Sequence, residues 1–203
     1  DKNALITSKE IKPIHSLGFQ PEKVYSGKSD TYKFYDLGSD KYGVETSTGI
    51  DELTGESILR FDDKNMNLKN DIKSTFDQLT GLHTDSGKMF RLYNAAFGRF
   101  PDSDGLKYWI GNFTSGKDDV RAVASSFLVS SEFKQRYGDN ISNDIYVETL
   151  YLNVLGRDYD QDGYNYWLGN LNNGVETRYE LLLGFSESDE NKGLFSEMTG
   201  LYL

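Results

Sequence analysis

Cysteine is absent from this 203-residue chain, which excludes disulfides and thiolate metal sites. The two histidines, His15 and His83, lie in different regions without the paired spacing of a zinc site. No G-x-S-x-G elbow, P-loop or dinucleotide fingerprint occurs, and Cys–His catalysis falls with the missing cysteine. Carboxylates are too numerous, at 32 Asp and Glu, to single out a glycosidase pair. No apolar run reaches the roughly 18 residues of a membrane-spanning helix. The opening Asp1-Lys2-Asn3-Ala4 carries neither an initiator Met nor a signal-peptide core. The expectation is therefore a processed product or an excerpt of a longer chain. Basic excess is also missing: the formal net charge is −10 and the pI about 4.7. Such a surface repels phosphate backbones and anionic lipid, so no nucleic-acid partner is expected. Only 3 prolines are present, so helices run with little interruption.

What the chain does have is a duplication. Tyr93–Gly116 and Tyr151–Gly174 share the frame Y-x4-GR-x2-D-x-DG-x2-YW-x-GN-x3-G, 58 residues apart and without a gap. Phe127, Ser130 and Glu132 match Phe185, Ser188 and Glu190 at the same offset. The repeats are placed at about 86–138 and 144–197, within a helical domain over 82–203. Two copies are too few for an open solenoid, so the helices are expected to cover one another about a pseudo-twofold axis.

Local patterns place the elements. Residues 1–28 read as an irregular or strand-like lead-in. Residues 29–81 read as a small β segment ending in a helix. Within it, 31–37 and 41–46 pair as a hairpin around Leu37-Gly38-Ser39-Asp40, and 57–61 is a third strand. Leu68, Ile72, Phe76 and Leu79 recur at helical spacing with Gly81 as the expected cap. Asp85 or Ser86 is expected to start the next helix. Its apolar stripe is Met89, Leu92, Tyr93, Ala96 and Phe97, matched by Val147, Leu150, Tyr151, Val154 and Leu155. Gly98 and Gly156 suit the left-handed position that ends a helix. The following helices bury Leu106, Trp109, Ile110 and Phe113, and Tyr164, Trp167, Leu168 and Leu171, and end at Gly116 and Gly174. Third helices are expected near 118–129 and 176–185, and short fourth ones after Ser130 and after Ser186–Ser188. The fold class is α+β, mainly α.

The Asp-rich turns admit two readings. Asp158, Asp160 and Asp162, followed by Gly163, form the D-x-D-x-D-G opening of an EF-hand calcium loop. Calcium is thus the one candidate cofactor. The loop's later positions fail, with Asn165 at position 8 and Gly169 where a bidentate Glu belongs. The first copy keeps only Asp102, Asp104 and Gly105. The other reading is capping: the first Asp of each pair accepts backbone N–H groups and both favour the helix dipole. Arg99 and Arg157 then bridge to the Asp turn or to helix carbonyls. Trp109 and Trp167 read as core, with stacking on a sugar as the competing role.

The frame GR-x2-D-x-DG-x2-YW-x-G-x4-G followed by F-x2-S-x-E resembles a bacterial domain of unknown function. That domain recurs in large secreted and surface proteins, many cyanobacterial or proteobacterial, often beside RTX-type calcium repeats, and in some phage structural proteins. More distantly it resembles the phycobilisome linker domain. The resemblance spans about residues 86–197. Tyr32–Gly38 through Phe76–Gly81 is similar to a segment preceding this domain in marine cyanobacterial exoproteins. The resemblance implies a non-catalytic module that acts by attachment, self-association or presentation at a cell surface or outside the cell, with a protein partner. It carries no catalytic residues to transfer. A virion component, such as a fibre, decoration or tail protein, and a carbohydrate-binding module are the alternatives.

Overall fold

The structure, a computed structural model, describes residues 21–203. Two three-stranded sheets come first. One has order β1–β5–β6 (Glu22–Val24, Ile58–Arg60, Asn65–Asn67), with β1 parallel and β6 antiparallel to β5. The other is the antiparallel meander β2–β3–β4 (Phe34–Gly38, Lys41–Thr46, Gly49–Leu53). The expected hairpin is there. Its turn places Ser39 and Asp40 both at positive φ, 54° and 57°, as a two-residue hairpin loop requires. Asp40 is held by Lys73 at 2.7 Å.

Residues 1–20 of the lead-in lie outside the described residues, and Glu22–Val24 takes its strand-like form. The segment after Gly49 pairs with β3, which the sequence did not indicate. The expected third strand forms at 58–60 and belongs to the first sheet. β1, β5 and β6 are three residues each, too short to show alternation, and are fixed by pairing across the chain.

The connecting helix begins as a π turn, Leu68–Lys73, capped by the Asn67 side chain, and ends as α1, Ser74–Phe76. Gly81 does not cap it. The helix stops at Asp77, and Gly81 instead lies where a Cβ would come within 2.8 Å of the Leu203 carbonyl oxygen. Next come α2 (Asp85–Phe97), α3 (Ser103–Thr114), α4 (Val120–Leu128) and α5 (Ser131–Tyr137). The second copy supplies α6 (Asn143–Leu150), a π turn over Tyr151–Leu155, α7 (Gln161–Asn172), α8 (Arg178–Ser186) and α9 (Asp189–Thr199). The starts of α2–α5 and α6–α9 differ by the repeat offset of 58 at every helix. The architecture is α+β and mainly helical.

The first stripe of each copy is buried, Met89, Leu92, Tyr93, Ala96 and Phe97 in α2 and Val147, Leu150, Tyr151 and Val154 in the second copy, with Leu155 half-buried. The stripes of α3 and α7 bury only Leu106 and Leu171 fully; Trp109, Ile110, Phe113, Tyr164, Trp167 and Leu168 are half-buried against the core. Equivalent elements meet one another, α4 against α8 and α2 against the second copy's π turn, as a twofold arrangement requires. The match is incomplete: α2 packs on α8, while α6 makes no comparable contact with α4 among the described residues.

One residue decides where the β layer sits. Phe100 is buried, with ring centroids 5.1 Å from Phe34 of β2, 5.1 Å from Phe76 of α1 and 5.9 Å from Phe90 of α2. Its equivalent in the second copy is Asp158, exposed to solvent. A carboxylate cannot enter such a cluster without paying full desolvation, so the layer docks on the first copy. Thr75 and Gln78 secure the contact, hydrogen-bonding the carbonyls of Pro101 and Ser103 at 3.2 and 3.0 Å. Replacing Phe100 by Asp, the second copy's residue, is expected to cost at least about 3–5 kcal/mol. Chemical denaturation should then show the β layer melting before the helices. A single unchanged transition would contradict this.

Candidate functional site

The residues of the repeat frame form the same clasp twice. Thr84, Asp102, Asp119 and Ser130 cap α2–α5, and Asp160, Thr177 and Ser188 cap α7–α9 through side-chain oxygens. The cap of α2 is therefore Thr84, not Asp85 or Ser86, which lie inside the helix. Asp102 accepts the Gly105 N–H and Asp160 the Gly163 N–H, each at 2.8 Å. A Cβ on Gly105 or Gly163 would meet that capping carboxylate at 2.5 and 2.8 Å. The glycine of the D-x-D-G turn is thus explained by the cap that covers it. Asp104 and Asp162 sit in the first turns of α3 and α7, where negative charge suits the helix dipole.

Gly98 and Gly156 end α2 and the second π turn at φ 59° and 65°, which leads the chain into the arginine. Arg99 grips Glu132 with Nε and Nη2 at 2.6 and 3.0 Å. Arg157 grips Glu190 in the same way at 2.8 and 3.0 Å. Each also donates to the next carbonyl, Phe100 or Asp158, at 3.1 Å. Each guanidinium lies over its tyrosine, 5.1 Å from the Tyr93 ring and 5.3 Å from that of Tyr151. In the first copy Tyr93 donates its hydroxyl to Asp102. Burial works against the Asp102 charge, but the Tyr93 and Gly105 hydrogen bonds and Arg99 outweigh it and hold its carboxyl below the usual range. Burial likewise opposes the Glu132 charge and is outweighed by Arg99 and Arg136.

Among the described residues no three His, Asp or Glu side chains converge as a metal site. Asp158, Asp160 and Asp162 do not converge as such a group; Asp160 caps α7 and lies 3.6 Å from Arg157. Trp109 and Trp167 are half-buried, packing edge-on to Phe127 and tilted on Phe185 at centroid distances of 5.0 and 5.8 Å. The tyrosines beside them, Tyr108 and Tyr166, are exposed, at 55% and 59%.

Two features have no signal in the repeat frame. Arg91 is buried at 1% exposure and bonds Glu187, 96 residues away, with Nε and Nη2 at 2.9 Å each. Its Nη1 donates to the Leu82 carbonyl at 2.8 Å. The equivalent positions hold Thr149 and Val129, so this bond ties the copies together without a symmetric mate. Beside it is a cavity of about 460 Å³ between β2, the C-terminal end of α2, the second π turn and α9. It is lined by Lys33, Asn94, Arg136, Asn153, Leu152 and Leu194, among others. Tyr35 on the same wall has its hydroxyl pushed up to about 12, by burial and by nearby Glu45.

The two kinds of arginine bond should respond differently. Glu187→Gln leaves the Arg91 guanidinium buried without its counter-charge and is expected to cost about 2–4 kcal/mol. Arg157→Ala removes an exposed pair and is expected to cost about 1 kcal/mol or less. Urea denaturation of the two variants checks the order, and a larger loss for Arg157→Ala would refute it.

Comparison with known proteins bears on the second copy. Residues 124–195 match the model of a domain described as Domain of unknown function (DUF4214). The match runs from within α4 to within α9, narrower than the 86–197 spanned by the motif resemblance. No curated protein and no solved structure matches the chain. Residues 124–195 are thus a DUF4214 domain, whose function is unknown.

Proposed function

We propose that the chain is a non-catalytic interaction module of an extracellular or cell-surface protein, working by self-association. The observation that carries this reading is the division of labour inside the repeat frame. Its Arg, Asp, Gly and first Tyr are spent on holding helix ends, identically in both copies for Arg99 with Glu132 and Arg157 with Glu190. One large aromatic of the frame, Tyr108 or Tyr166, faces outward in each copy. Large aromatic side chains at solvent-facing positions are the ones that protein interfaces favour. Repetition makes the feature bivalent, and bivalence strengthens weak contacts without new chemistry.

The described helices include none long and apolar enough to cross a membrane. The extracellular placement rests on the likeness of the repeat frame to a domain found in secreted and surface proteins. The test is the mass of the chain in solution over a wide range of concentration. Association that grows with concentration, and is lost in the double variant Tyr108→Ser with Tyr166→Ser, is expected. A monomer at every concentration, or association unchanged in the double variant, would overturn the reading.

A further inference from the structure

The seam cavity is built from equivalent positions that the two copies fill with opposite chemistry. Asn94 of the first copy faces the space with Leu152, its equivalent in the second, and Arg136 with its equivalent Leu194. The first copy thus gives a polar wall and the second an apolar one. Asn153, which stands where the first copy has Ala95, adds a second carboxamide. Its amide nitrogen donates to the Tyr137 hydroxyl, which leaves its carbonyl oxygen available to a ligand. The Asn94 carboxamide has no hydrogen-bond partner among the described residues.

Backbone geometry marks the same place. The first copy's helix runs regularly to Phe97, whereas the second copy's opens into a π turn at Tyr151–Leu155. That turn supplies Leu152, Asn153 and Val154 to the cavity. Single π turns recur at functional sites because they re-aim side chains that a regular helix would space differently. The volume, about 460 Å³, falls within the roughly 300–1,000 Å³ of small-ligand sites.

Charge narrows the ligand. Each cation on the walls already has a carboxylate: Arg91 with Glu187 at 2.9 Å, Arg99 with Glu132 at 2.6 Å, Arg136 with Asp30 at 3.1 Å and Lys33 with Glu45 at 3.8 Å. An anion would have to displace one of these carboxylates and leave it uncompensated, and a cation would meet Glu197, a wall carboxylate exposed to solvent, where an ion pair gains little. A neutral molecule can hydrogen-bond to the paired groups without breaking them. We propose that the cavity binds a neutral polyhydroxylated molecule of monosaccharide size. Its hydroxyls would be read by Asn94 and Asn153, and its C–H face would rest on Leu152 and Leu194. The reading goes beyond self-association, which concerns the outer face of α3 and α7.

The test uses the full chain with D-glucose, D-galactose and D-mannose, and with D-glucuronate and D-glucosamine as charged forms of one skeleton. Thermal unfolding and saturation-transfer NMR at millimolar ligand report binding, since a ligand of the folded state raises the melting temperature. At least one neutral sugar is expected to bind, with its charged counterpart about tenfold or more weaker where one is in the set. Asn94→Leu and Asn153→Ala each install the residue that the other copy carries at the equivalent position. Each is expected to weaken the sugar by about tenfold while circular dichroism stays unchanged. No binding of any neutral sugar, or glucuronate or glucosamine binding as well as glucose, would overturn the proposal. So would undiminished binding in both variants, which places the sugar elsewhere, as on Tyr108 or Tyr166. Should one variant fail to fold, the other decides.

Discussion

The rest of the structure depends on the aromatic cluster around Phe100. It joins β2 through Phe34, the connecting helix through Phe76 and α2 through Phe90. Phe90 continues to Phe195 of α9, at 5.6 Å, so the second copy is reached in one more step. Aromatic rings contribute large buried area and prefer the tilted and edge-on contacts seen here. The cluster therefore does two jobs. It supplies a share of the core, and it fixes the β layer against a particular end of a particular copy. The seam cavity exists because β2 is held there, over the helix ends of both copies.

Around that cluster the polar residues act as fasteners. The clasp of Arg99 with Glu132, Tyr93 and Asp102 is largely shielded, while its counterpart at Arg157 is open to solvent. The same geometry is thus worth more in the first copy, where the β layer excludes water and the local dielectric falls. The bond of Arg91 to Glu187 has a different role. It has no symmetric mate, so it specifies that α2 pairs with the second copy and not with another first copy. A buried charge pair costs heavily when mismatched, which penalises other pairings of two similar units.

Much of the helical half was legible because duplication shows each signal twice. The apolar stripes of α2 and α6, the glycines at 98 and 156, and the serines at 130 and 188 follow from local rules that neighbouring residues satisfy. Capping by Asp102 and Asp160 was legible for the same reason. The calcium alternative was not separable by sequence, since D-x-D-x-D-G serves either role until the position of the Asp160 carboxylate is known. What stayed hidden depends on distance along the chain. β1, β5 and β6 are too short for alternation and owe their state to partners 36 residues away or across a turn. Glu187 gives no local hint of Arg91. The π turn at Tyr151–Leu155 carries the same apolar phase as the regular helix it replaces. The contrast of Phe100 with Asp158 was present in the aligned copies and is the signal that could have placed the β layer.

The central claim is that β layer and both copies share one core, fused at Phe100, and so unfold together. Differential scanning calorimetry of the native chain tests it directly. One transition is expected, with calorimetric and van't Hoff enthalpies that agree. Two resolved transitions, or a van't Hoff enthalpy well below the calorimetric one, would show that the β layer and the helical copies are separate folding units and contradict it.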